Sequence, residues 1–355
     1  MMLGSAFRPP TVGVDIGSSA VKAVALRRGR GGWSLVAAGE APVPEGSVQD
    51  GATTEPLAVS EAVSGLFDTL HLRRARVAAA LSGHSVIVKR LSLPAMSHAE
   101  LAEAIPWEAE QYIPFDLSEV QLDYQVVPGD AAAAKSSLDV LLVAAKRDRI
   151  DDRTGVIMQT GRRPVVLDVE AFALANAYQM NYPERTDSLA ALVHVGRALT
   201  IVCLLEAGEP VFTRDISIGG QIHLDALLRE FGPQGVDELA AKRMLRGQFP
   251  PDVHQDQVTA VLREASAQLV MEVRKTIDFY RATAPVEKLS RVVVSGGGSD
   301  AAGLADLLAA EFNAPVDVFD PFRRVTRPSR AIGADVAGPA YAVAVGLAMR
   351  QEGDR

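Results

Sequence analysis

The chain has 355 residues but only one cysteine, Cys203, which lies in the apolar run at residues 201–205. A single cysteine cannot form a disulfide within the chain, so the fold does not depend on a disulfide framework. The apolar neighbours predict that Cys203 is a buried, unreactive side chain that packs like a small hydrophobic residue. This cysteine usage fits a protein of the reducing cytosol.

Long hydrophobic runs are also missing. The longest candidate, residues 337–349 (AGPAYAVAVGLAM), is shorter than the roughly 20 apolar residues that span a bilayer. Residues 1–10 lack the cationic start and the apolar stretch of a signal peptide. We therefore expect a cytoplasmic protein without direct membrane insertion, which reaches a membrane only through partners.

The chain has no excess of basic residues. Lysine and arginine number 36 against 44 aspartates and glutamates, which gives a net charge of −8. Because nucleic-acid binding needs a basic surface, this balance argues against a general nucleic-acid binder. The hydrophobic content of 48% and the charged content of 23% are ordinary for a globular protein, and the length predicts at least two domains.

Two glycine turns share one pattern, DIGSSAVK at residues 15–22 and HVGRALT at residues 194–200, and they begin 179 positions apart. Each turn lies between two predicted strands, and a hairpin and a third strand follow. This repetition predicts an internal duplication in an α/β protein.

Between these turns, residues 48–55 are polar and loop-like, and residues 56–72 have the apolar spacing of a helix. Residues 75–94 are interpreted as a pair of strands. Ser97 and Glu100 form a predicted capping box at the start of a helix that Pro114 ends. Together with the strands that follow, residues 90–160 are interpreted as a small inserted α+β unit.

The first turn has the composition of a phosphate-binding loop. Glycine lets the backbone approach a ligand closely, and the N–H groups of Gly17, Ser18 and Ser19 can wrap a phosphate. Lys22 can reach a phosphate oxygen, and Asp15 can hold hydrated Mg²⁺. The alternative is an ordinary turn with a structural aspartate and a solvent-facing lysine.

Two further elements fit a nucleotide. The segment SGGGSD at residues 295–300 joins a strand to a helix, where free N–H groups face a ligand; its candidate residues are Gly296, Gly297, Gly298 and Ser299. A plain connecting loop is the alternative. Glu272 and Lys275, three apart on a predicted helix, can bond both hydroxyls of a ribose or can form a solvated ion pair.

The order of these motifs resembles the actin-like ATPase superfamily, which includes actin, DnaK-type chaperones, sugar kinases and the division protein FtsA. Residues 103–127 (EAIPWEAEQYIPFDLSEVQLDYQVV) resemble the signature region of the PilM family of type IV pilus assembly. Residues 169–178 and the glycine pair Gly219–Gly220 in the IGGQ segment also match that family.

The resemblance implies an actin-like (ribonuclease H-like) duplicated two-domain fold with a small insert. It divides the chain into a first domain (residues 1–89, 161–187 and 331–355), the insert (90–160), a second domain (188–222 and 285–330) and its helical subdomain (223–284). It also implies ATP and Mg²⁺ as cofactors, with Gly196 and Thr200 in the second phosphate loop and Glu170 as the acidic, candidate catalytic group near the phosphates.

The resemblance also implies a partner. In the family, the cleft between insert and first domain takes the N-terminal peptide of the bitopic inner-membrane protein PilN, which would place this chain at the periphery of the inner membrane. Trp107, Tyr112 and Phe115 either form the core of the insert or line this groove. Further expected partners are pilus motor ATPases, the platform protein and other copies in an oligomer or ring.

The expected level of ATP hydrolysis depends on His194, because this residue lies where the second loop of actin-like ATPases usually has aspartate. Imidazole is mostly neutral at pH 7 and is a poor ligand for Mg²⁺. We therefore expect ATP binding with weak or absent hydrolysis, rather than a histidine that acts as general base. An FtsA-like filament protein and an active sugar-kinase-type phosphotransferase are the alternative functions.

Overall fold

The computed structural model describes residues 11–127, 137–183, 189–283, 288–336 and 338–354. Two large mixed sheets and a smaller three-stranded sheet form its framework. The six-stranded sheet has the order β10-β6-β1-β2-β3-β16, with the strands β1 Thr11–Ile16, β2 Ala20–Gly29, β3 Gly32–Pro42, β6 Arg76–Leu81, β10 Arg163–Val169 and β16 Val325–Thr326.

The five-stranded sheet contains the same run of three consecutive antiparallel strands as the six-stranded sheet. Its order is β13-β12-β11-β14-β15, with the strands β11 Ala190–Val195, β12 Thr200–Glu206, β13 Glu209–Ile216, β14 Arg291–Ser295 and β15 Val316–Val318. In each sheet an antiparallel pair encloses one glycine turn. The N–H of Gly17 donates to the carbonyl of Ala20 at 3.1 Å, and the N–H of Gly196 donates to that of Leu199 at 2.9 Å. These equivalent turns confirm the predicted duplication.

The helices cover both sheets. They are α1 Pro56–Thr69, α2 His98–Glu110, α3 Arg147–Gln159, α4 Glu170–Asn181, α5 Gln221–Phe231, α6 Glu238–Met244, α7 Gln255–Thr283, α8 Leu304–Phe312 and α9 Ala342–Ala348. Helix α9 lies entirely in the core and packs on β1 and α4. Cys203 is buried in β12, as predicted. In the described part of the chain, no helix is both long enough and apolar enough to cross a bilayer.

The insert is built on the sheet β7-β9-β8, formed by β7 Val86–Pro94, β8 Val120–Val127 and β9 Ser137–Lys146, with α2 packed on it. The predicted capping box is confirmed, because Ser97 Oγ accepts from the N–H of Glu100 and the Glu100 carboxylate accepts from the N–H of Ser97. The buried side chains Leu101 and Ile105 attach α2 to the apolar face of the sheet.

Three details differ from the sequence interpretation. The strands of residues 75–94 do not pair, because β6 belongs to the six-stranded sheet and β7 to the insert. Residues 48–55 contain a short hairpin, β4 Val48–Gln49 and β5 Ala52–Thr53, where we expected a loop. Helix α3 packs Val156 and Ile157 into the core of the first sheet rather than into the insert. The domain boundaries themselves stay a prediction.

Helix α9 approaches its neighbours through a glycine. A Cβ atom on Gly346 would lie 1.8 Å from the carbonyl oxygen of Ala173 in α4. We expect Gly346→Ala to lower the free energy of unfolding by roughly 3 kcal/mol, because two buried helices would have to separate. Denaturant unfolding of wild type and variant measures this loss.

The matched control for this substitution is Gly155→Ala in α3, where an added Cβ meets nothing within 4 Å. Alanine favours a helix over glycine, so this control should raise the stability by about 0.5–1 kcal/mol. An unchanged midpoint for Gly346→Ala would mean that α9 and α4 are not packed as described.

Candidate functional site

A cavity of about 610 Å³ is lined by residues of both large sheets. Most of the candidate nucleotide-binding residues that were predicted from the sequence line this cavity. Those that line it are Asp15, Gly17, Ser18, Ser19, Lys22, Glu170, Gly196, Gly220, Gly297 and Gly298, together with His194. The duplicated turns therefore meet at one site although they are far apart in the chain.

The glycines of the second half hold three loops in contact. The N–H of Gly220 donates to the carbonyl of Gly196 at 2.7 Å, and a Cβ on Gly219 would lie 2.6 Å from that same oxygen. A Cβ on Gly220 would lie 3.3 Å from the Cα of Gly298. Gly219 therefore packs the loops together, whereas Gly220 also lines the cavity.

Within the triple-glycine segment the residues have different positions. A Cβ on Gly296 would lie 2.2 Å from the carbonyl oxygen of Val195, and its φ of +90° is in the left-handed region. Ser299 is buried, and its hydroxyl donates to the Gly296 carbonyl at 2.8 Å, so it closes the turn. Gly297 lines the cavity, and a Cβ there would meet nothing within 4 Å.

In the first turn, a carboxylate and an ammonium group lie side by side. Lys22 Nζ is 3.5 Å from Asp15 Oδ2 across the strand pair β1–β2, and both side chains are largely buried. Among the described residues, no cluster of three or more histidine, cysteine, aspartate or glutamate side chains could hold a metal alone. The Asp15 carboxylate is the kind of ligand that a hydrated Mg²⁺ accepts together with phosphate oxygens and water.

His194 is buried at the corresponding position of the second turn. Its Nδ1 atom lies 3.0 Å from the hydroxyl oxygen of Ser295. Burial lowers the pKa of His194 to about 4, an effect that the negative charge of Asp15 opposes. At pH 7 the imidazole is therefore neutral and only weakly basic.

Glu170 begins α4 at the floor of the cavity, and its Oε1 accepts a hydrogen bond from Ser82 Oγ at 2.9 Å. Burial raises the pKa of Glu170 to about 8, with a further contribution from the negative charge of Asp15. The buried guanidinium of Arg153 opposes this shift. Without a bound cation, these surroundings therefore favour the protonated form of Glu170.

Sequence reasoning missed Asp215 on β13. Across β1, β2 and β3, strand register aligns Asp15, Lys22 and Glu40. Across β11, β12 and β13, it aligns His194, Ile201 and Asp215 in the same way. Asp215 is thus the counterpart of Glu40. Its carboxylate accepts a hydrogen bond from the N–H of Gly83 in the first half of the chain, and burial raises its pKa. Extending the repeat comparison by one strand would have found it.

Arg153 on α3 was also missed. It is almost fully buried, and its guanidinium donates to the carbonyls of Ile16 at 3.3 Å and Gly51 at 3.0 Å. It therefore ties the strand before the first glycine turn to the β4–β5 hairpin. Nothing in the local pattern of α3 distinguished it from a solvent-exposed arginine.

Some predicted residues do not line the cavity. Thr200 is fully buried, because side chains alternate along β12 and its neighbour Ile201 takes the cavity-facing position. Glu272 and Lys275 form an ion pair of 2.6 Å on the exposed face of α7, so the cavity gives no support to a ribose site there. Lys242 and Arg246, at the end of α6 and just after it, line the cavity together with Lys22 and Arg197.

A second cavity of about 590 Å³ lies between the insert and the first sheet. Strand β8 of the insert forms one wall, and β10 with α4 forms the other. Trp107, Tyr112 and Phe115 do not line it. Trp107 is 73% exposed and Tyr112 is 43% exposed, whereas Phe115 packs against the insert core under the ammonium group of Lys146.

A comparison with known proteins shows that one family model matches nearly the whole chain. Residues 13–352 match the family model described as type IV pilus assembly protein PilM. A solved structure of a PilM–PilN type IV pilus biogenesis complex matches with a TM-score of 0.83 and 28% identity, over 97% of this chain and 98% of that chain.

More distant structures agree on the fold. EutJ, an ethanolamine utilization protein from Carboxydothermus hydrogenoformans, has a TM-score of 0.57 and 16% identity over 97% of this chain and 90% of that chain. MreB5 of Spiroplasma citri, solved with AMPPNP, has a TM-score of 0.53 and 12% identity over 96% of this chain and 95% of that chain. These likenesses confirm the predicted actin-like α/β fold.

Proposed function

The chain belongs to the PilM family of type IV pilus assembly proteins, and from this premise we propose that it is a nucleotide-responsive adaptor of the pilus machine. It binds ATP with Mg²⁺ in the first cavity and the N-terminal peptide of a PilN-like membrane protein in the second. This peptide holds it at the inner membrane and links it to cytosolic motor ATPases.

Nucleotide binding is supported by the residues of the first cavity. Gly17, Ser18, Ser19 and Lys22 line this cavity, and the backbone of Ser18 and Ser19 with the Lys22 ammonium group suits a polyphosphate. The N–H of Gly17, expected to bind phosphate, instead donates to the carbonyl of Ala20 and closes the turn. The open side of Gly297 leaves room for a flat base, and Lys242 with Arg246 suits a ribose or a phosphate oxygen. A volume of about 610 Å³ is in the range of cofactor sites.

Partner binding is supported by the second cavity. Most of its lining is apolar, and it lies where the family resemblance places the peptide. The matching solved structure is a complex of PilM with PilN, which makes a PilN-like protein the first candidate for the occupant. Trp107 and Tyr112 lie outside this groove and are not proposed as its residues.

One observation carries the proposed response to nucleotide: the two cavities share a wall. Leu81 lines the peptide groove and the next residue, Ser82, lines the nucleotide cavity. In the same way, Val169 lines the groove and Glu170 lines the nucleotide cavity. The hydrogen bond from Ser82 to Glu170 joins the end of β6 to the end of β10. A ligand that moves either residue therefore changes the shape of the groove.

We expect ATP·Mg²⁺ to raise the affinity for the peptide at least about fivefold, the lower end of typical coupling between sites. In Ser82→Ala this enhancement should fall to twofold or less, since the bond across the wall is lost while the peptide groove keeps its lining. Fluorescence anisotropy of a labelled peptide, with and without nucleotide, measures both values.

The control for this experiment is Trp107→Ala. Its side chain is exposed on α2, away from both cavities, so the affinity and the enhancement should stay at the wild-type values. Equal peptide affinity with and without ATP in the wild type would contradict the proposed response. Failure of the peptide to bind under any condition would contradict the adaptor function itself.

Contacts with motor ATPases, a platform protein or further copies remain parts of this proposal. No observation in the structure favours the phosphotransferase alternative, and the neutral His194 argues for weak or absent hydrolysis. The FtsA-like alternative shares the fold and differs in its partner, so the peptide experiment separates the two.

A further inference from the structure

One ion pair joins the two halves of the chain beside the nucleotide cavity. Arg197 lies in the second glycine turn and lines the cavity, and its Nη2 atom donates to Oε1 of Glu45 at 2.7 Å. Glu45 follows β3 in a segment that is attached to the first turn, because the N–H of Val43 donates to the carbonyl of Ser19 at 3.1 Å. The pair therefore spans the two turns between which the polyphosphate is proposed to bind.

Two other basic residues that line the cavity pair within their own half of the chain. Lys22 pairs with Asp15 in the first half, and Lys242 pairs with Glu238 in the second. Of these three pairs, only that of Arg197 joins residues whose separation depends on how the two halves are placed. A ligand that enters between the halves can therefore take over this contact.

The inner part of the Arg197 side chain is anchored within the second half. Its Nε atom donates to Oε1 of Gln221 at 2.8 Å, and the amide nitrogen of Gln221 in turn donates to Oδ1 of Asp225 at 2.8 Å. The N–H of Gln221 also donates to the carbonyl of Arg197 at 2.8 Å. These bonds orient the guanidinium and leave its outer nitrogens to reach a partner, and their planar fork matches the oxygens of a phosphate.

Glu45 is a weak partner for this guanidinium. Its side chain is 69% exposed, whereas that of Arg197 is 23% exposed. Solvent screens such an ion pair, so it contributes little to stability. A polyphosphate carries several negative charges and accepts charge-assisted hydrogen bonds from arginine, so it is the stronger acceptor.

We propose that Arg197 binds the phosphate chain of the nucleotide and releases Glu45 when it does so. This inference rests on the proposed nucleotide binding and adds a binding residue that none of the sequence motifs predicted. Without nucleotide, the ion pair with Glu45 joins the two halves of the chain. With nucleotide, the phosphates between the two turns take over that contact.

The first test compares nucleotides with adenosine. Arg197→Ala should lower the affinity for ATP·Mg²⁺ and for ADP about tenfold or more, because a charge-assisted contact is lost, and should leave adenosine binding unchanged. Arg197→Lys keeps the charge without the fork and should lose only about threefold. Isothermal titration calorimetry measures the nucleotides, and ligand-observed NMR, which detects weak binding, measures adenosine.

The second test addresses the exchange of partners. Glu45→Gln should raise the ATP affinity about threefold, since Arg197 no longer has a competing carboxylate. In the Arg197→Ala background the same substitution should change nothing, which a double-mutant cycle shows. The matched control is Glu61→Gln, an exposed acid on α1 outside the cavity lining, which should leave the ATP affinity unchanged in both backgrounds.

The outcomes separate this inference from the proposed function. If the wild type binds ATP and Arg197→Ala keeps that affinity, the role of Arg197 is wrong and nucleotide binding stands. If the wild type binds neither ATP nor ADP, both are wrong. An equal loss for adenosine would overturn the phosphate contact. An equal gain from Glu45→Gln in both backgrounds, or no gain in either, would overturn the exchange, and this arm alters only an exposed side chain.

Discussion

Gly297→Trp is expected to abolish ATP binding, with a loss of affinity on the order of a hundredfold or more. Gly297 lines the nucleotide cavity, and a side chain there projects into space that no protein atom occupies within 4 Å. An indole on this Cβ would extend into the region proposed for the base. A hundredfold loss corresponds to about 2.7 kcal/mol, which steric overlap with a buried ring readily exceeds. Isothermal titration calorimetry with ATP·Mg²⁺ measures the effect.

The matched control is Gly31→Trp in the β2–β3 hairpin. Like Gly297, Gly31 has no atom within 4 Å of an added Cβ and no positive φ, but it is remote from the cavity lining. The control should bind ATP with the wild-type affinity, and both variants should keep the wild-type melting temperature without ligand. Unchanged ATP affinity in Gly297→Trp would show that the base lies elsewhere.

The second large effect is a gain of ATP hydrolysis in His194→Asp, on the order of a hundredfold. The first turn keeps Asp15 as a candidate metal ligand, whereas the corresponding position of the second turn has a neutral imidazole. An acidic group there would help to orient the reacting water, and losing such an orienting group typically costs about this factor. Steady-state phosphate release, with and without the partner peptide, measures the change.

His194→Asn serves as the control, because it has a similar size and remains neutral, so its turnover should stay at the low wild-type level. The new carboxylate in His194→Asp would share a buried site with Asp15 and Glu170. Like charges destabilise such a site, so we expect a lower melting temperature without ligand and recovery with ATP·Mg²⁺. Robust turnover by the wild type that is lost in His194→Ala would instead make the histidine catalytic.

The parts of the site that depend on local backbone geometry could be predicted from the sequence. Glycine turns between short apolar strands are recognisable in the sequence, and their repetition predicts the equivalent positions of Gly17 and Gly196 that the two turn hydrogen bonds confirm. The capping box at Ser97 was predictable for the same reason, since both of its hydrogen bonds are between residues three apart.

The parts that depend on tertiary packing could not be predicted in this way. Glu272 and Lys275 share a helix face, but helix periodicity does not say which face meets the cleft, and here the pair is exposed. Asp215 comes near Glu170 only through pairing of β12 with β13, and Arg153 only through buried contacts between elements far apart in the chain. Trp107 was expected in a core or a groove because aromatics usually are, and it lies on the surface.

The shared wall between the two cavities also limits how this chain can diverge. Leu81 and Ser82, and likewise Val169 and Glu170, are chain neighbours at the carboxyl ends of β6 and β10, and the two residues of each pair line different cavities. Inserting or deleting one residue in β6 or β10 would displace both residues of a pair and disturb both sites in a single event. Relatives that serve different membrane partners should therefore vary the groove-facing side chains of these strands and conserve the strand lengths.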